Sequence, residues 1–370
     1  MNGTAAEPAP ALKDALDNHR VRQIADVTLR VSPAFDAAAF LAACGDLTPL
    51  SLMARITRIA EGFQAALPGG FRENVEVLSA VTPSLGGGFA TLIPPEYVAL
   101  YGADDFEPSM QALKVFTRFG TSEFAVRHFL RRDLPRTLAV MQTWAQDADE
   151  HVRRLASEGS RPRLPWSFHL KPLMVDPSPL APILEALKDD PSLYVRRSVA
   201  NSLNDITKDN PGWVLDRLEA WPLDRSGPAW IAKHALRSLI KKGDPRALAL
   251  IGAGQAPQVV LSGLQVSPPR IRLGEAIELA FALSSTTEEA QRLVVDYAIH
   301  YVKKSGGAAP KVFKLKALDL AGGSAHAIRK RQLIANFTTR VHYPGEHVVE
   351  IFANGQSLGR TVFTLVFDPA

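Results

Sequence analysis

Four side chains of this 370-residue chain have the types and settings that chemistry needs: the carboxylates Glu123, Glu158 and Asp205, and the indole of Trp166. Glu123 stands three residues before Val126, beside apolar Phe124 and Ala125. Glu158 precedes Gly159, where a helix is predicted to end. An acid there opposes the helix dipole, and a locally unfavourable residue hints at a site. Asp205 lies ten residues after Val195, near the end of another predicted helix. Trp166 sits in a proline-rich stretch. Carboxylates stabilise positive charge that develops in a transition state, and an indole face attracts a cation by roughly 0.5–2 kcal/mol. Each residue also has a plainer reading. Glu123 can be an acid favoured at a helix N-terminus, Glu158 and Asp205 solvated surface charges, and Trp166 a plug over the core.

One local pattern recurs around these residues. Segments 123–130, 149–156, 192–203 and 228–236 each place an aliphatic anchor (Val126, Val152, Val195, Ile231) just before basic or imidazole side chains, with further apolar residues at helical spacing. The anchors lie 26, 43 and 36 residues apart, so the repeat is degenerate. Stacked helix pairs of about 40 residues are the HEAT and armadillo arrangement, which builds a concave surface. Cations at intervals on such a surface suit a polyanion. The candidates are Arg127, Arg153, Arg154, Arg161, Arg163, His169, Lys171, Arg196, Arg197, Lys233, His234 and Arg237, with His128, Lys241 and Lys242 as further members. For any one of them a solvated helix face is the plainer role.

Charge follows the same division. Residues 1–110 hold 7 Lys+Arg against 13 Asp+Glu, residues 111–258 hold 22 against 16, and residues 259–370 hold 13 against 9. The basic excess begins with the repeats, an asymmetry that suggests nucleic acid. The single cysteine, Cys44, excludes an internal disulfide and any multi-cysteine zinc site. Met1 to Asn18 is Ala/Pro-rich with no apolar core behind a basic patch, which is unlike a secretory signal. No apolar run reaches the ~18–20 residues a membrane span needs. A cytoplasmic protein is expected. Gly86-Gly87-Gly88 lacks a following Lys-Ser/Thr, so it is no P-loop, and the histidines show no His-Glu-x-x-His spacing. Neither a metal nor a cofactor is expected.

Helix signals dominate to about residue 250. Leu12, Leu16, Ile24, Val27 and Val31 share one stripe that Ser32-Pro33 stops. Ser32 and Pro33 are predicted to open a second helix through Ala43, and Thr48-Pro49 a third through Ala66. Residues 83–95 read as a flexible connection. Further helices are predicted near 96–101, 108–118, 121–132, 135–147, 149–158, 178–188, 191–208, 210–219 and 228–241. Five prolines between Gly159 and Pro179 rule out one continuous helix there. Strands are predicted at Ala276–Leu283, Arg292–Val302, Lys311–Leu318, Gln332–Thr338, Glu346–Ala353 and Arg360–Phe367, and Asn354-Gly355 reads as a type I′ hairpin turn. The fold class is therefore multidomain: an all-α HEAT-like repeat superhelix over residues 1–258, then an all-β immunoglobulin-like sandwich over residues 259–370.

The run Phe116-Thr117-Arg118-Phe119-Gly120-Thr121-Ser122-Glu123-Phe124-Ala125-Val126-Arg127, together with 192–205 and Leu164-Pro165-Trp166, resembles the AlkC-type DNA glycosylases. These belong to the HEAT-like-repeat DNA alkylation repair superfamily. The similarity covers most of residues 10–250, and residues 259–370 resemble the immunoglobulin-like domain that some of these proteins carry. The resemblance implies excision of cationic alkylated bases, notably 3-methyladenine, from double-stranded DNA without full base flipping. It places Glu123 at a catalytic carboxylate, Glu158 at a second acid near the sugar, Trp166 at an active-site tryptophan against the lesion or its deoxyribose, and Asp205 in the cleft. The chemistry suits such residues. Ring alkylation makes the base a good leaving group, the sugar gains oxocarbenium character, and anions stabilise it. Arg329, Lys330 and Arg331 are read as a basic loop that could also touch DNA. A monomer that needs no membrane and no nucleotide cofactor is expected. A non-catalytic binder of branched or damaged DNA, or a protein-binding scaffold, would share the helical stack without needing the acids.

Overall fold

The computed structural model describes residues 11–336 and 340–367. Residues 1–10 of the Ala/Pro-rich segment, and Phe337 and Thr338 of one predicted strand, lie outside them. Contacts divide the chain into two compact units between Asn210 and Pro211.

The first unit is helical: α1 (Asn18–Val31), α2 (Ala37–Cys44), α3 (Leu52–Ala66), α4 (Phe71–Val81), α5 (Ile93–Tyr101), α6 (Phe106–Phe116), α7 (Val126–Arg132), α8 (Leu134–Trp144), α9 (Glu150–Gly159), α10 (Lys171–Val175), α11 (Ala181–Ala186) and α12 (Leu193–Ile206). Their starts follow side-chain chemistry. Asp17, Asp36, Ser51, Asp133 and Asp149 each accept a hydrogen bond from an amide of the first turn, satisfying donors the helix leaves open. Two predicted starts are therefore corrected. Asp36 caps α2 in place of Ser32, and Ser51 caps α3 in place of Thr48, because each acceptor stands next to the first helical residue. The connection predicted at 83–95 is also ordered. Gly86, Gly87 and Gly88 all take positive φ (67°, 76° and 66°), a region glycine enters without a Cβ penalty. Pro94 and Pro95 sit in the first turn of α5, where a missing amide costs nothing.

α1 packs on α2 and α2 on α3, α3 packs on α5, each helix from α4 to α8 packs on the next, and α9 lies against both α8 and α12. The anchors Val126, Val152 and Val195 are fully buried. α9 also needs Gly159: a Cβ there would stand 2.5 Å from Cγ1 of Val126.

The second unit begins with α13 (Pro211–Glu219), α14 (Ser226–Ala235), α15 (Arg237–Ile240) and α16 (Pro245–Ala249). Ile231 of α14 is fully buried. A sandwich follows: β1 (Val259–Ser267), β2 (Arg270–Arg272), β3 (Ala276–Ser285), β4 (Gln291–Val302), β5 (Ala308–Leu320), β6 (Ala325–Leu333), β7 (Gly345–Ala353) and β8 (Gln356–Val366). One sheet runs β1-β3-β6, the other β2-β8-β7-β4-β5. Inward residues alternate along β3 (Ile277, Leu279, Phe281, Leu283) and β4 (Leu293, Val295, Tyr297, Ile299, Tyr301) to form the core. Asn354 and Gly355 both have positive φ, as a type I′ turn requires, and the Asn354 carboxamide bonds Val294, Gln255 and Arg292.

Two strand expectations change. β6 ends at Leu333, so the strand predicted from Gln332 begins upstream, at Ala325. Arg329, Lys330 and Arg331 therefore lie in a strand, paired with Ala280, Leu279 and Glu278 of β3, and not in a loop. Charged side chains on an edge strand such as β6 also discourage edge-to-edge association.

Candidate active site

The segment ahead of α7 fixes Glu123. The Ser122 hydroxyl donates to the Leu113 carbonyl of α6 at 2.8 Å, and the Thr121 hydroxyl donates to the Glu123 carboxylate at 2.9 Å. Glu158 projects from the last turn of α9 and Asp205 from α12. All three acids are nearly buried, at 9, 6 and 3 % exposure.

Arginines stitch them together. Arg154 lies 2.7 Å from Glu123 and 3.8 Å from Glu158. Arg161 lies 2.5 Å from Glu158 and 2.9 Å from Asp205, and Lys208 reaches Asp205 at 3.1 Å. Signs thus alternate from Glu123 to Lys208. The guanidinium of Arg154 also stacks 4.8 Å from the ring centre of Tyr194, a residue that carried no role in the sequence reading. Three bare carboxylates would repel a phosphate backbone. Paired acids cancel at a distance and keep their field at the cavity wall.

Above this ladder opens a cavity of about 380 Å³. Glu123, Glu158, Arg161 and Trp166 line it, with Gly88, Phe89, Gly120, Thr121 and Phe124 among the other walls. The structure therefore brings three of the four singled-out residues to one space. Asp205 is not among the lining residues and stands one step behind, holding Arg161.

Trp166 crowns a loop between α9 and α10. It is 64 % exposed, so it does not plug the core. Its φ is +64°, a left-handed conformation that costs a bulky residue roughly 1–2 kcal/mol. The loop holds that strain because Arg127 clamps it. Arg127 is fully buried and donates to the carbonyls of Gly159 (3.0 Å), Arg161 (2.7 Å) and Phe168 (2.5 Å). Burial, with the nearby Arg161, pulls its pKa down to about 10, which leaves it cationic at neutral pH.

That geometry corrects the expected row of phosphate-binding cations. Arg127 has no surface to offer. Arg153 forks onto Asp190 (2.6 and 3.1 Å) and bonds the carbonyls of Asp147 and Ala148. Arg196 donates to the carbonyls of Asp190 and Pro191. The arginine that follows each valine anchor thus turns back onto the chain, where it satisfies carbonyls mostly of the connections between helices. Arg154 and Arg161 are committed to the acids. Arg163 is paired with Asp209 at 2.8 Å and stays partly exposed. His169, Lys171 and Arg197 face solvent. In the second unit Lys233 and Arg237 are exposed, while half-buried His234 stacks on Trp230 with ring centres 3.7 Å apart. Arg329, Lys330 and Arg331 are exposed. Among the described residues no group of His, Cys, Asp and Glu could hold a metal ion, and no helix is long and apolar enough to cross a membrane.

Residues 260–367 match the family model described as the C-terminal Ig-like domain of the uncharacterised protein YhaZ. YhaZ of Bacillus subtilis is 40 % identical over 311 residues, which span 84 % of this chain and 86 % of that protein. Among solved structures, the alkylpurine DNA glycosylase AlkC of Pseudomonas fluorescens, bound to DNA containing an abasic site analog, is 54 % identical. It matches 96 % of this chain and all of that one with a TM-score of 0.94.

Proposed function

The chain belongs to the family that contains YhaZ and the AlkC-type DNA alkylation repair glycosylases, and from that premise we propose that it is a monofunctional alkylbase DNA glycosylase of base excision repair. It hydrolyses the N-glycosidic bond of cationic adducts such as 3-methyladenine in double-stranded DNA, without turning the base fully out of the helix. The observation that carries this reading is the shared cavity of Glu123, Glu158 and Trp166.

The chemistry follows from charge. An alkylated purine bears a positive ring. When the C1′–N bond breaks, its electron pair returns to the ring and the base departs neutral. Positive charge then sits on the deoxyribose, and Glu123 lies where an anion lowers its energy. Water adds to C1′, Glu123 takes its proton, and an abasic site remains. Glu158 adds to the field, Asp205 steadies Arg161, and the Trp166 face meets the cationic lesion or its sugar. Thr121 and Arg154 fix the rotamer of Glu123, so little reorganisation is needed as the charge develops.

Phosphates are held by exposed cations: Arg163, His169, Lys171 and Arg197 in the first unit, and Lys233, Arg237, Arg329, Lys330 and Arg331 in the second. His234 flanks that second set. Arg127, Arg153 and Arg196 build the scaffold. We assign the glycosylase domain to residues 1–258 and the immunoglobulin-like domain to 259–370, and expect a cytoplasmic monomer. The test is release of 3-methyladenine from methylated duplex DNA by the purified chain. Release supports the reading. Tight binding to damaged duplex with no base released refutes it in favour of a non-catalytic binder.

A further inference from the structure

A second cavity, of about 400 Å³, lies on the other side of Trp166. Trp166 and Phe124 line both spaces. Thr57, Glu96, His128 and Phe168 complete the chemistry of the second, and none of them belongs to the acid ladder. A volume of this size is ordinary for a small-molecule site.

The walls specify a ligand class. Phe124 and Trp166 offer aromatic surface to a flat ring, whereas the Phe168 ring already carries Arg131 at 4.4 Å and Arg127 at 5.4 Å from its centre. Glu96 accepts one hydrogen bond, from the Thr57 hydroxyl to Oε1 at 2.7 Å. Its Oε2 has no hydrogen-bond partner among the described residues, so the carboxylate has acceptor capacity to spare. His128 sits edge-on to Phe168 with centres 5.5 Å apart. Burial draws its pKa down, Glu96 pulls the other way, and Arg131 and Arg127 lower it further. No lysine or arginine lines the cavity. A phosphate would meet the Glu96 carboxylate on the wall, while the nearest guanidiniums, Arg127 and Arg131, are turned onto Phe168. A planar ring carrying N–H donors meets aromatic faces and an open carboxylate.

We propose that this cavity is a nucleobase site, one that takes an uncharged base with an exocyclic amino group, adenine being the simplest, with its amino edge on Glu96 and its faces against the aromatic rings. The proposal rests on the glycosylase reading for its biological sense, since a base becomes available as the excised product or as a neighbour unstacked from the strand. Its chemistry is the same in either case. Binding of a free base is measured without catalysis, so the proposal and that reading fail separately.

Isothermal calorimetry on the full chain with free adenine is expected to give saturable binding. Purine, which lacks the amino group, is expected to bind about tenfold more weakly, as loss of a hydrogen bond to a charged group implies. Glu96→Gln is expected to weaken adenine binding by a similar factor. The adenine-to-purine ratio in the unaltered chain keeps the test decisive even if that variant folds poorly. A second arm uses duplex DNA with 2-aminopurine next to an abasic position. A fluorescence rise on binding that Glu96→Gln removes assigns the site to a base of the strand, whereas calorimetric binding of adenine assigns it to the free base. If adenine is not bound, or is bound no better than purine, and 2-aminopurine stays stacked in both proteins, the proposal is overturned.

Discussion

Trp166 concentrates the logic of the site in one residue. Its side chain is mostly outside the protein and its backbone is strained, so it contributes little to folding. Replacing it with glycine removes the left-handed penalty of roughly 1–2 kcal/mol and adds about 0.5–1 kcal/mol of unfolded-chain entropy. Trp166→Gly should therefore melt within about 3 °C of the parent, while base release falls by at least about tenfold. A large loss of stability would mean that the indole is structural. The three acids were legible in the sequence as candidates, and the family resemblance, more than spacing, joined them. Neither Arg154 nor Arg161 was legible as their partner, because a basic residue on a helix reads alike whether it meets solvent or a carboxylate.

At the scale of elements, the loop and the helix that grips it form one device. Arg127 reaches three carbonyls that no shorter side chain can satisfy together. Arg127→Met should destabilise the protein by about 3 kcal/mol or more, since buried carbonyls left unpaired cost about 1–3 kcal/mol each. It should also cut base release by freeing Trp166. Arg127→Lys should not rescue, because an ammonium lacks the planar fork. Thermal melts and single-turnover release check both. The repeated valine–arginine pairing was visible in the sequence as a row of cations, but its direction was not. Periodicity places Arg127, Arg153 and Arg196 on a helix without telling outward from inward, and only the carbonyls beside them decide. The glycine run at 86–88 was misread for a related reason. Consecutive glycines usually signal freedom, and here their positive φ values shape a wall of the cavity.

The sandwich carries a second element-scale prediction. Asp296 of β4 is 5 % exposed. Burial pushes its pKa up to about 6, against the pull of Lys314 and Lys241. The folded state thus holds this proton more tightly than the unfolded chain does. The stability this gives is complete below the usual carboxylate range near pH 4 and is lost as pH rises through about 6. Asp296→Asn should therefore be more stable than the parent at pH 7.5, by up to about 2–3 kcal/mol, with the gap closing near pH 4. Melting curves across that range decide it. An Asn variant that is less stable at pH 7.5 would show that the lysine pairing outweighs burial. β1 and β2 escaped sequence prediction for a simple reason. β1 is mostly exposed or half-buried and contains Gly263, and β2 has three residues, so neither shows a clear alternation.

Over the whole molecule, the sequence reading recovered the change from helices to strands, which falls between Ala249 and Val259. It overestimated how many cations face outward. The number of solvent-facing cations now sets an expectation for DNA binding. Each phosphate contact adds about 0.9 to the slope of log K against log salt. Lys171→Ala should lower that slope by about one and weaken binding evenly across sequences. Arg153 is folded onto Asp190 and should give no such change beyond its cost in stability.

In the proposed mechanism Glu123 acts on positive charge formed at the sugar. Single-turnover release of 3-methyladenine by Glu123→Gln, on duplex at concentrations that saturate binding, tests it most directly. The rate should be at least about a hundredfold lower, as removal of one electrostatic group from a transition state implies, with duplex affinity within about threefold of the parent. Release at the parental rate from saturated DNA would contradict it.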